Sequence, residues 1–342
     1  VWLAITSAVR TFVLPRSAPD RLSRNVFLFM RTIFDLRMKG VKAYKQRDRI
    51  MAMYAPCSLL ALPAVWLFYV MLGYMGMFWA IDVGSWETVL RFSGSSIFTL
   101  GFATPTDTPE ILLCFTEAAL GLFLVALLIS YLPTMYAAFA RRETAVTMLE
   151  VRAGSPPSPI QMLERFHRIQ GMEQLSDVWT IWEAWFADVE ESHTSLAALT
   201  FFRSPQSHRS WITAAGAVLD AAALTNAVID IPHNAQADLC IRAGYVALRN
   251  IADFFGIAYN PNPQPDDPIS VSRAEFDAAC AELTSAGLAL KSDRELAWKN
   301  FVGWRINYDT VLLALAGLTM APEAPWSSDR ATRPRLGPIK IK

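Results

Sequence analysis

The chain has 342 residues, of which 53% are hydrophobic and only 18% charged. A soluble domain carries about a quarter charged residues, so this deficit argues for a chain partly embedded in a membrane. The 31 basic residues balance the 31 acidic ones, so bulk charge gives no argument for nucleic acid. Cys57, Cys114, Cys240 and Cys280 lie far apart with no CxxC pair, which argues against a disulfide framework or zinc site and favours buried free thiols.

Residues 1–14 form an apolar stretch too short to cross a bilayer alone. It is either the end of a third membrane helix truncated upstream or an amphipathic helix lying in the interface. Residues 15–51 follow as a basic segment that ends "RMKGVKAYKQRDR". Residues 52–81 contain no charge, which is long enough for a span at about 20 apolar residues. Pro63 is tolerable there, and Tyr74, Phe78 and Trp79 suit an interfacial belt. A second apolar run, 111–140, contains one charge, Glu117, and leaves into "RRE". The loop between the runs has only Arg91 as a basic residue. Positive flanks stay inside, so both span ends face the cytoplasm and the loop faces out.

That loop has internal structure. Asp82 or Ser85 suits a helix cap, and Glu87 suits the first turn. The apolar spacing in "WETVLRFSGSSIF" predicts a short helix over about 86–98, too short to span. "TLGFA" comes next, and a proline turn then leads to the second span. The order span, short helix, Thr-x-Gly-aromatic, span resembles the two-transmembrane pore-loop module of the potassium channel superfamily. In that module, backbone carbonyls from four copies replace the ion's water shell.

Carried over by position, Thr99 matches the filter threonine, Leu100 the apolar residue, Gly101 the first glycine and Phe102 the aromatic. Ala103 stands where the second glycine belongs; a positive φ there costs an alanine about 1–2 kcal/mol, so the upper filter either bends differently here or is looser. Phe98 replaces the usual hydroxyl residue below the filter, Thr104 replaces the usual acid, and Phe102 lacks a phenol to tie the loop to its helix. The resemblance implies a homotetramer passing a monovalent cation, potassium first, with no cofactor, no metal site and no catalytic residue.

Glu117 lies about two turns inside its span, where a charge faces protein or water. It either pairs with Arg91 to brace the filter, or faces a wet vestibule or stays protonated. Gly121 is a candidate hinge or a close-packing site. Ser130 and Pro133 lie near the inner end, where a gate belongs.

After Arg142, "GSPPSP" reads as a break within a linker over 143–159. Residues 160–320 are helical in pattern throughout, with no strand alternation, so a cytoplasmic all-α bundle is predicted. Residues 211–231 are apolar enough for a span, but Asp220 and Asp230 favour a buried bundle helix. Trp179, Trp182 and Trp185 share one helix face and read as core or subunit contact rather than a ligand cage. Glu190, Glu191, His193 and His208 read as solvated polar residues rather than a metal site. No phosphate loop, GxSxG, HExxH or dinucleotide fingerprint occurs. The Pro-rich basic tail, 321–342, reads as disordered.

The stretches "TFVLPR", "FTLGFA", "ISYLPTMYAAFARRE", "RAGSPPS" and "ESHTSLAALTFFRSPQSHRSW" resemble a group of bacterial potassium-channel-like membrane proteins. That likeness covers most of the chain and implies a multi-pass inner (plasma) membrane protein. Its partners would be lipid and three further copies, with the helical domain cytoplasmic and its ligand unassigned. The rival reading is a non-conducting membrane sensor or scaffold that keeps the pore fold.

Overall fold

The structure, a computed structural model, describes residues 1–14 and 20–331. It is all-helical, with no strand among the described residues; one isolated bridge joins Ile229 and Leu290. Three stretches are long and apolar enough to cross a membrane: Tyr44–Ala80, Thr108–Ala153 and Trp211–Val228. The chain divides into two compact units, 1–138 with 195–202, and 139–194 with the chain from Arg203 onward.

The first unit contains α1 (Trp2–Phe12), α2 (Arg21–Met38), α3 (Tyr44–Ala52), α4 (Tyr54–Ala80), α5 (Trp86–Ile97) and the first part of α6 (Thr108–Ala153). Pro63 and Pro133 lie inside α4 and α6 without ending either helix. A tryptophan buried in an apolar helix needs a partner for its N–H. Trp66 of α4 donates to Ser7 Oγ of α1 at 2.9 Å. Ser7 donates in turn to Asp20 Oδ2, which also accepts the Ser23 N–H and so caps α2. One short polar chain therefore fixes three helices together.

The second unit contains the end of α6, then α7 (Pro159–Arg168), α8 (Leu175–Ser195), α9 (Trp211–Val228), α10 (Ala235–Phe255), α11 (Arg273–Ser285), α12 (Arg294–Arg305) and α13 (Asp309–Thr319). Every residue of α9 is buried, so no face of it is left for lipid. Its one charge, Asp220, forms an ion pair with Arg305 Nη1 and accepts from Tyr308 Oη at 2.8 Å. Arg305 Nε also donates to Asp309 at 2.8 Å. Trp179, Trp182, Trp185 and Phe186 are buried on α8.

Three expectations are corrected here. The linker over 143–159 is mostly helix: α6 continues to Ala153, and the break is Gly154, with φ +81°, and the four residues before α7. The tail is ordered as far as residue 331. Trp326 is buried, its carbonyl accepts from Arg305, and Arg330 binds Glu275 at 2.7 Å. The rest of that tail, 332–342, lies outside the described residues. Finally, His193 is fully buried rather than solvated.

Candidate site at the loop between the long apolar helices

The site is built by α5, the loop after it and the first turns of α6. Ser85 caps α5 by accepting the Thr88 N–H at 3.3 Å, and Glu87 sits in its first turn. Twelve residues make about 18 Å of helix, well short of a bilayer's hydrocarbon core. Asp82 turns the chain before it with φ +59°.

α5 ends in a loop with left-handed residues at two alternate positions. Thr99 has φ +54° and Gly101 φ +73°, while Leu100, Phe102 and Ala103 stay out of the left-handed region. The positive φ expected at position 103 is therefore absent, in line with the alternative that the loop bends differently there. It falls on Thr99 instead, a β-branched residue for which this conformation is rare. Leu100 and Phe102 are 62% and 57% exposed, large apolar side chains that nothing among the described residues covers.

The loop's hydrogen bonds are one-sided. Three of its five N–H groups point back to α5: Thr99 to Ser96 O at 2.9 Å, Leu100 to Ser95 O at 2.8 Å, and Ala103 to Ser95 Oγ at 3.1 Å. Among the described residues, no carbonyl from Thr99, Leu100, Gly101, Phe102 or Ala103 accepts a hydrogen bond. Backbone carbonyls are obligatory acceptors, so five unclaimed ones in a row ask for water or another ligand.

The pairing of Arg91 with Glu117 does not form. Glu117 is fully buried on α6 and accepts from Ser93 Oγ at 2.5 Å, while its Oε2 has no partner. Arg91 is exposed on α5. Residues two apart on a helix lie about 200° apart, so when Ser93 faces α6, Arg91 faces away. The vestibule alternative fails too, because the carboxyl is closed off from solvent in the first unit.

Gly121 is where α5 meets α6. A Cβ built on it would lie 2.2 Å from the Ile97 carbonyl oxygen. This glycine is a point of close approach, and the position gives no sign of a hinge. Ser130 is exposed and bonds its own helix through Leu127 O at 2.9 Å. Pro133 is exposed on the same helix. Neither is brought near the loop.

Comparison with known proteins adds nothing to this geometry. No protein-family model, curated protein or solved structure matches the chain.

Ser93 and Ser95 were missed from the sequence. The signal was present: three serines in four positions of a short helix between apolar runs. Buried hydroxyls need partners, and these find Glu117, the Met71 carbonyl and the loop backbone.

A second polar cluster lies in the other unit, just past the apolar run of α6. Arg142, fully buried, holds Glu143 Oε1 at 2.7 Å and approaches His193 Nε2 at 3.2 Å. A guanidinium can only donate, so Nε2 accepts and the ring proton sits on Nδ1, beside Ser192 Oγ at 3.2 Å. Burial, then the Arg142 charge, pushes the His193 pKa well below the usual histidine value.

Proposed function

We propose that this chain is the pore-forming subunit of a passive cation channel. Four copies would surround an ion path lined by the backbone of Thr99, Leu100, Gly101, Phe102 and Ala103. The observation that carries the reading is the row of unclaimed carbonyls on a loop whose donors turn to α5. A backbone alternating in hand presents successive peptide groups in like direction, as a row of ion-binding oxygens requires. Non-helical backbone at membrane depth is tolerated only where it lines water or is buried in protein. The resemblance of "TLGFA" to the potassium channel filter makes potassium the first ion to try.

One copy cannot enclose a path, and exposed Leu100 and Phe102 need covering. Closed rotational symmetry supplies both. In this reading α4 and the apolar part of α6 span the inner membrane. The loop faces out, Glu117 and Ser93 seat α5, and the α7–α13 bundle lies in the cytoplasm for gating or assembly. α6 continues as helix past the end of its apolar run, as far as Ala153. The partners are lipid and three further copies, and conduction needs no cofactor.

Particle symmetry in nanodiscs tests this assembly. Four-fold symmetry about the 99–103 segment is expected; a monomer or dimer would exclude a four-fold filter.

A further inference from the structure

Ser95 holds the loop at two points. Its backbone carbonyl accepts the Leu100 N–H at 2.8 Å, and its hydroxyl oxygen accepts the Ala103 N–H at 3.1 Å. The side chain is buried against the loop. Ser93, on the opposite face of α5, instead bonds Glu117 Oε1 at 2.5 Å and Met71 O at 3.3 Å.

A peptide unit is planar and trans, so each N–H points opposite to the carbonyl of the residue before it. Holding the Leu100 N–H therefore aims the Thr99 carbonyl away from α5. Holding the Ala103 N–H aims the Phe102 carbonyl away from α5 in the same manner. The two peptides between, which carry the Leu100 and Gly101 carbonyls, have no such hold among the described residues.

We propose that Ser95 is a positioning residue for ion selection: its hydroxyl sets the direction of the Phe102 carbonyl at the outer end of the row. Ser93 only seats the helix. The proposal rests on the channel reading above and names what tunes that path. It also gives a role to the neutral tie that Phe102, lacking a phenol, cannot make.

The test compares Ser95→Ala, Ser95→Thr and Ser93→Ala in the full chain, reconstituted in liposomes. Ser95→Ala keeps the backbone bond to Leu100 and loses only the hydroxyl bond. Flux should persist while the potassium-to-sodium permeability ratio falls roughly fivefold to tenfold, the effect of about one hydrogen bond. Ser95→Thr should restore the ratio. Ser93→Ala should leave it unchanged while lowering thermal stability. An unchanged ratio in Ser95→Ala, or an equal fall in Ser93→Ala, overturns the proposal.

If the wild-type chain passes no cation, the channel reading fails, and amide exchange still judges the clamp. Exchange at Ala103 should be about tenfold faster in Ser95→Ala and unaltered in Ser93→Ala. Equal exchange in wild type and Ser95→Ala would remove Ser95 from the account.

Discussion

At Gly121 a single missing methyl lets α5 end against α6. The 2.2 Å approach of a built Cβ to the Ile97 carbonyl is to backbone, which cannot rotate aside as a side chain can. Gly121→Ala should therefore displace the end of α5 and destabilise the first unit by about 1–3 kcal/mol. A thermal melt in detergent checks this; an unchanged midpoint would mean the two helices do not meet there. His193 gives a pH-dependent counterpart. Its folded pKa is depressed, so the unfolded chain binds the extra proton first. The stability it supports is complete above the unfolded value of about 6.5 and falls as pH drops below that, by up to about 1.4 kcal/mol per unit. His193→Gln keeps an acceptor for Arg142 and cannot titrate, so its melting midpoint should fall less between pH 6.5 and 5. Equal slopes for the two proteins would rule this histidine out as the cause. Charge matching misled the sequence reading at Glu117: Arg91 is the one cation of the loop between the apolar runs, but helix geometry presents Ser93.

Among the elements, α9 carries the clearest energetic statement. It is buried all round, and its charge is tied to α12 and α13 by Arg305 and Tyr308, and through the Arg305–Trp326 bond to the C-terminal segment. Arg305→Ala would leave two buried carboxylates, Asp220 and Asp309, without their cation. Breaking a buried pair from one side costs about 3–5 kcal/mol. Chemical denaturation of the second unit should show a loss of that order, and a loss under about 1 kcal/mol would contradict the pairing. Much of this scale was legible. The uncharged run ahead of Asp82 and the run from Ile111 announce long apolar helices, and Ser85 with Glu87 announces the start of α5. Asp220 pointed to a helix at 211–228 that is buried on every side. What was not legible depends on single anchors. "GSPPSP" marks a break but does not say that helix persists up to it. The tail's prolines and charges mask the one buried tryptophan, Trp326, that holds it down.

For the whole molecule, the all-helical architecture could be read from periodicity, because no segment alternates in the manner of a strand. The shape of the 99–103 loop could not. Alternating φ, unclaimed carbonyls and the reach of Ser95 to a backbone N–H eight residues away exist only once the chain has folded. No positive φ falls at 103, where a glycine was expected; the left-handed positions are Thr99 and Gly101. The account stands or falls on conduction. Purified protein in liposomes, loaded with potassium and assayed against sodium and chloride, should pass cations and exclude chloride. Gly101→Ala, which forces a side chain into a left-handed position, should abolish or sharply reduce that flux. Cation flux unaffected by this change would place the path elsewhere, and no flux from the wild-type protein under any voltage would leave a membrane scaffold in place of a channel.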